Sequence, residues 1–178
     1  MLIYEFQAKA LLQELGVVIP AGHLAETVDE TRVAAQKLGG QVILKAQILS
    51  GGRGKAGGIV AADSPEKAGL AAARLLGKKL ITAQSGGRGL VVKKILVEEF
   101  VLPGREIYLG LVVDRKNEKL AAIVSQQGGV EIEELSKSCP QAIKKEYFYP
   151  EQGLLFFQAR NLAYFLDLPE AAFKTFLD

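Results

Sequence analysis

The chain has 178 residues, 49% hydrophobic and 24% charged, with a formal net charge of +2. That length suits one full domain or two small subdomains around a real core, and near-neutrality without a long basic block argues against bulk attraction to nucleic acid or a membrane surface. One cysteine, Cys139, and one histidine, His23, exclude an internal disulfide framework, fit a reducing compartment and speak against a Cys/His zinc site.

In chain order, "YEFQAKALLQELG" places Phe6, Ala10, Leu11 and Leu15 near one helical face and ends at Gly16. The same segment lacks the basic start and unbroken apolar core of a signal peptide, and no apolar run reaches the ~20 residues that span a bilayer. The expected compartment is the cytoplasm, or a mitochondrial matrix if a transit peptide has been removed. "TVDETRVAAQKLGG" predicts a helix starting near Thr27 or Asp29 and closed by Gly39-Gly40. "QVILKAQ" predicts a strand, followed by a glycine-rich loop and "GIVAAD" as the returning strand. "SPEKAGLAAARLLG" is a strong helix signature, with Ser64 as N-cap, Pro65 at the first helical position and Glu66 in the first turn.

"LVVKKILVEEF" predicts one strand. "EIYLGLVVD" alternates, with Ile107, Leu109, Leu111 and Val113 on one face, and "DRKNEK" turns it into "LAAIVSQQ". "VEIEELSKS" predicts a helix whose Glu131, Glu133 and Glu134 suit the positive end of the dipole. "AIKKEYFYP" predicts a strand stopped by Pro150, "LLFFQARNLAYFLDL" an apolar helix, and "PEAAFKTFLD" the start of another without a closing signal. The mixed order with a central hairpin favours α+β layers over a doubly wound sheet.

Candidate chemistry centres on "KAQILSGGRGKAGGIV", Lys45 to Val60. It fails the P-loop pattern, because Gly54-Lys55 is followed by Ala56 and position 49 is Leu. Gly52 to Gly57 satisfies G-x-G-x-x-G, but the dinucleotide form needs a helix after the loop, and a strand follows here. Strand–loop–strand instead suits a flap that lays backbone N–H groups over phosphates, with Arg53 and Lys55 adding charge. A plain flexible hairpin tip is the competing reading.

Lys45 ends its strand six residues before Gly51, where it is either a solvated strand end or a point charge for nucleotide phosphates. Glu98 and Glu106 sit at strand ends, where a carboxylate accepts hydrogen bonds from ribose or adenine or is simply solvated. The pentapeptide Ser50–Gly54 recurs at Ser85–Gly89, read here as a hairpin turn. RNA binding through RGG-like tracts is a further reading, but such tracts are normally long and interleaved with aromatics.

Several segments in order over nearly the whole chain resemble the N-terminal part of the β subunit of succinate–CoA ligase: "YEFQAKALLQELGVVIPAG", "KAQILSGGRGKAGGIV", "LLGKKLITAQ", "ILVEEF", "REIYLGLVVDR" and "QGGVEIEEL". Malate–CoA ligase β subunits and ATP-citrate lyase share these motifs. The resemblance implies an ATP-grasp fold, α+β and incomplete. A glycine-loop nucleotide-binding subdomain would occupy roughly residues 20–100, the start of a second subdomain roughly 101–178, and the C-terminal CoA-ligase domain would be absent.

The resemblance further implies that Lys45 contacts phosphate and that Gly52, Arg53 and Gly54 form the glycine-loop triplet. Glu98 would lie near adenine and ribose, the backbone at Phe100 and Val101 would line the base, and Glu106 would supply a second carboxylate on the ribose side. Where several family members carry a histidine, this chain has Leu49. Cofactors implied are ATP/ADP or GTP/GDP with Mg2+, whose Asn and Asp ligands would lie beyond Asp178.

The implied partner is an α subunit carrying the phosphohistidine and the main CoA site, so His23 is no candidate and no catalytic residue is expected in this chain. In the whole enzyme, succinyl phosphate would form, pass its phosphoryl group to that histidine, and then to ADP or GDP. Without metal ligands, the chain is expected to bind nucleotide weakly and catalyse nothing alone. The unclosed last helix leads to the expectation of a fragment with bare apolar surface around Phe156, Phe157, Phe165, Phe173 and Phe176. The alternative readings are a malate–CoA ligase β subunit and a non-catalytic nucleotide-binding module.

Overall fold

The computed structural model describes residues 2–177. The chain divides into two compact units, Met1–Leu102 and Pro103–Asp178. The first contains α1 (Glu5–Glu14), β1 (Gly22–Ala25), α2 (Val28–Lys37), β2 (Val42–Gln47), β3 (Ile59–Ala62), α3 (Pro65–Leu75), β4 (Lys79–Leu80), β5 (Leu90–Val91) and β6 (Lys94–Glu99). The second contains β7 (Tyr108–Asp114), β8 (Lys119–Ser125), α4 (Ile132–Ser138), β9 (Ile143–Phe148), α5 (Phe156–Phe165) and α6 (Glu170–Leu177).

In the first unit an antiparallel sheet has the order β1-β6-β2-β3. Side chains alternate between its faces. One face carries Val42, Leu44, Ala46, Ile95 and Val97, all buried against α2 and α3. The helices meet that face with Ala34, Ala35, Ala68, Ala71 and Ala72, whose small side chains allow close approach. Both helices start as expected from sequence. Thr27 accepts from the Glu30 N–H (3.1 Å), and Ser64 accepts from the Lys67 N–H (3.2 Å).

The opposite face holds Lys45 and Leu96 directly across from one another, with Gln47 and Glu98 in the flanking rows, opposite Lys94 and Ile43 respectively. It is covered by α1, though not through the leucines of that helix. Leu11 and Leu15 are exposed, and no residue of α1 is buried. The helix meets the sheet through Glu5 and Lys9 instead, because that sheet face is itself charged.

Two further differences concern strands. "LVVKKILVEEF" is not one strand: β5 pairs with β4, while β6 joins the main sheet. The switch occurs after Val92, whose N–H donates to Lys78 O (2.9 Å). Strand β1 carries no sequence signal, since "GHLA" has no β-branched residue and is too short for a pattern.

In the second unit β8 lies between β7 and β9, both antiparallel to it. Asp114 Oδ1 accepts from the N–H groups of Lys116 and Asn117 (both 3.1 Å), closing the predicted hairpin turn. Ala122, Val124, Leu162 and Leu166 form the core, with Phe148, Phe165 and Phe176 packed against it. Leu109, Leu111 and Val113 do share a face, yet each is more than half exposed. Phe156 and Phe157 are likewise exposed.

Candidate functional site

The charged sheet face of the first unit gathers residues far apart in sequence. Glu98 is 1% exposed. Its carboxylate pairs with Lys45 Nζ at 2.5 Å and with Lys9 Nζ from α1. The solvated strand-end reading therefore does not hold for Glu98, nor for Lys45. Glu5, on the first turn of α1, pairs with Arg53 Nη2 at 2.7 Å and lies 3.6 Å from both Lys45 and Lys9. Arg53 Nη1 donates to Ala46 O (2.8 Å), which anchors the loop arginine to β2.

Buried Gln47 completes the cluster. Its Oε1 accepts from the Phe6 N–H (3.2 Å), and its Nε2 donates to Lys45 O (2.9 Å) and Glu5 (3.3 Å). Three cations, Lys9, Lys45 and Arg53, thus face two carboxylates, Glu5 and Glu98, leaving one surplus positive charge.

The ionisation of the cluster follows from this geometry. Burial pushes the Glu5 carboxyl up, but Arg53, Lys45 and Lys9 together outweigh it and hold it below its ordinary value. Burial pulls the Lys45 ammonium down, but its hydrogen bond to Glu98 and the nearby Glu5 charge hold it above its ordinary value.

The glycine-rich segment is an ordered hairpin between β2 and β3. Gly52 and Gly57 have positive φ, and the Gly58 N–H donates to Arg53 O (2.8 Å). The second SGGRG copy lies in the connection between β4 and β5, as the turn reading expected, with Gly86 and Gly87 at positive φ. That connection also props the first loop. The Gly51 N–H donates to Gln84 Oε1 (3.1 Å), and the hydroxyls of Ser50 and Thr82 lie 2.6 Å apart.

Two open clefts flank the cluster. One of about 430 Å³ lies between α1 and the sheet, beside Phe6, Lys9, Pro20, Gly22, Leu96 and Glu98. Gly22 stands directly opposite Glu98, and a Cβ there would come within 3.0 Å of the Glu98 Cγ. The other, of about 400 Å³, is lined by Glu5, Ser50, Gly51, Arg53 and Gln84 among others. Phe100 and Val101 follow β6 directly; the Phe100 N–H donates to Gln41 O (3.3 Å), and Val101 is exposed.

Glu106 belongs to the second unit, where a double glycine seats it. The Gly128 N–H donates to Glu106 O (3.1 Å), and Gly129 has φ +69°. A Cβ on Gly128 would lie 2.6 Å from the Glu106 carbonyl carbon, which backbone cannot accommodate without shifting. Gly128→Ala is therefore expected to displace the Glu106 segment and destabilise the second unit by about 1–3 kcal/mol. Amide exchange in β7 and β8 reads this directly; unchanged protection would contradict the close approach.

Of the residues singled out from sequence, Lys45, Arg53 and Glu98 thus meet in one cluster, with Gly52 and Gly54 in the adjoining loop. Glu5, Lys9, Gln47 and the Gln84 prop were not found from sequence. The available signal was weak: two opposite charges four apart on a helix, a spacing that usually marks a solvated pair. Among the described residues no group of three or more His, Cys, Asp and Glu side chains is placed to hold a metal ion, and no helix is long and apolar enough to cross a membrane.

The family model of the ATP-grasp domain matches residues 2–178. The chain belongs to the ATP-grasp family. Its relatives include the β subunit of ADP-forming succinate–CoA ligase from Geobacillus kaustophilus, 47% identical over 169 residues, covering 94% of this chain and 44% of that one. The same subunit from Wolinella succinogenes is 48% identical over 177 residues, covering 99% of this chain and 45% of that one. The chain thus spans about half the length of the curated relatives it matches.

Solved structures share the fold. Dinucleotide-forming acetyl-coenzyme A synthetase 1 from Ca. Korarchaeum cryptofilum superimposes with a TM-score of 0.64 at 21% identity, covering 99% of this chain and 76% of that one. ATP citrate lyase from Methanothrix soehngenii gives 0.62 at 18% identity, covering 85% and 36%.

Proposed function

We propose that this chain is the nucleotide-binding portion of an acid–CoA ligase β subunit, with Lys45 and Arg53 facing the phosphates. The observation that carries this reading is the cationic cluster itself. Lys45 and Arg53 converge beside a hairpin rich in backbone N–H groups, with surplus positive charge and open clefts on both sides. Gly52 and Gly54 allow close approach of the loop backbone to phosphate, and Glu98 fixes the Lys45 ammonium. The cleft beside Glu98 and Gly22 is proposed to take the ribose and base, and the backbone at Phe100 and Val101, which does not line that cleft, is proposed to lie against the base. Glu106 is proposed as the second ribose carboxylate.

The relatives' names support succinate as the acid, and the whole enzyme would then interconvert succinate, CoA and ATP or GTP with succinyl-CoA, ADP or GDP, and phosphate. The phosphohistidine is assigned to an α-subunit partner in the cytoplasm or mitochondrial matrix. Magnesium would neutralise phosphate charge when bound, and its Asn and Asp ligands are assigned to a segment beyond Asp178. This chain's own residues then bind and orient the nucleotide; they neither attack nor leave. The test is an amide-resolved titration of the chain with ATP and with adenosine. Signals of the Gly51–Gly54 loop are expected to move with ATP and not with adenosine.

A further inference from the structure

The cluster contains two carboxylates that are not equivalent. Glu98 is buried on a central strand and pairs closely with both Lys45 and Lys9. Glu5 makes one close pair, to Arg53, and stands 3.6 Å from both lysines. Arg53 is anchored by Nη1 to Ala46 O, so its other edge is directed at Glu5. That edge, with Gly51, borders the cleft of about 400 Å³ that also reaches Glu5.

The two carboxylates also differ in what holds them. Glu98 is fixed by the sheet ladder. Glu5 rides on a helix with no buried residue, tied down by Gln47 and by the ion pairs themselves. Turning the Glu5 side chain away from Arg53 leaves its half-buried neighbour Phe6 in place beside the sheet, so no large hydrophobic term opposes the movement.

Resting on the phosphate reading above, we propose that Glu5 is a positioning residue acting as a displaceable internal anion. It occupies the Arg53 edge when no ligand is present and yields it to a phosphate group. Arg53 presents a planar fork that donates to carboxylate or phosphate in the same geometry, so the exchange needs no rearrangement of the arginine. Glu5 thereby keeps the cations ordered and sets the affinity for phosphate, because every ligand phosphate must displace it. Lys9, bonded to Glu98 and beside Glu5, keeps α1 near the sheet after the exchange.

The experiment titrates the chain with metal-free sodium tripolyphosphate, comparing wild type with Glu5→Gln. The substitution keeps the size and removes the charge. Binding is expected to tighten about tenfold, and the ratio is expected to fall towards one in an Arg53→Gln background. A merely structural Glu5 predicts weaker or unchanged binding in Glu5→Gln with a lower melting temperature; that result overturns the proposal and leaves the phosphate reading standing. Absence of tripolyphosphate binding in both proteins, together with absence of ATP binding, overturns both. Should Glu5→Gln not fold by circular dichroism, Glu5→Asp, which withdraws the carboxylate by one methylene, is expected to tighten binding in the same direction, and unchanged or weaker binding contradicts the proposal.

Discussion

Glu98→Ala is expected to destabilise the first unit by about 3 kcal/mol or more, the largest stability effect of any single charge removal in the cluster. The carboxylate is 1% exposed and pairs closely with Lys45 and Lys9, so truncation takes the close counter-charge from two ammonium groups and leaves them only Glu5, 3.6 Å from each. Both lysines keep about a fifth of their side chain exposed, which lets water reach them and places the loss at the lower end of the range for broken buried pairs. Glu98→Gln keeps the shape and one acceptor, and is expected to lose about 1–2 kcal/mol. Native-state amide exchange of β2 and β6 isolates this unit from the other. A loss within about 0.5 kcal/mol for Glu98→Ala would show that the ion pairs contribute nothing net, as exposed pairs often do.

Lys45→Ala is expected to weaken ATP binding by tenfold or more while the unit stays folded. Charged hydrogen bonds contribute about 1.5–3 kcal/mol each, which sets the scale. Lys9 remains on Glu98 in this variant, so no carboxylate is orphaned and the sheet ladder is untouched. Lys45→Arg is expected to recover the charge but not the full affinity, because a planar fork replaces a point donor. Calorimetric titration checks both variants. Unchanged ATP affinity in Lys45→Ala would remove Lys45 from the phosphate site and leave it a structural partner of Glu98.

Local signals were legible from the sequence where local physics decides them. Ser64, Pro65 and Glu66 announce α3, and Thr27 caps α2, because a helix start is settled within four residues. The two faces of β2 were not legible: "VILK" reads as three aliphatics and a stray lysine until β6 brings Glu98 into the neighbouring row. The docking of α1 was not legible for a related reason. Its leucines form a plausible apolar stripe, but the sheet face it meets carries Lys45, Gln47 and Glu98, so its charged edge binds there. The partners of Arg53 were hidden because Glu5 lies 48 positions earlier in the chain, a separation that no periodicity spans. The resemblance carried the site residues as single positions. The structure adds that Lys45, Arg53 and Glu98 act as one electrostatic unit in the first half of the chain.

The most direct measurement is the amide-resolved titration of the chain with ATP and adenosine. If Lys45, Arg53 and the hairpin form a phosphate site, ATP shifts the amides of Gly51, Gly52, Arg53 and Gly54 in a saturable way. Adenosine at the same concentration leaves them in place, and Lys45→Ala abolishes the ATP response. Equal responses to ATP and adenosine, or ATP shifts confined to residues away from the hairpin and the Lys45–Glu98 cluster, would contradict the account.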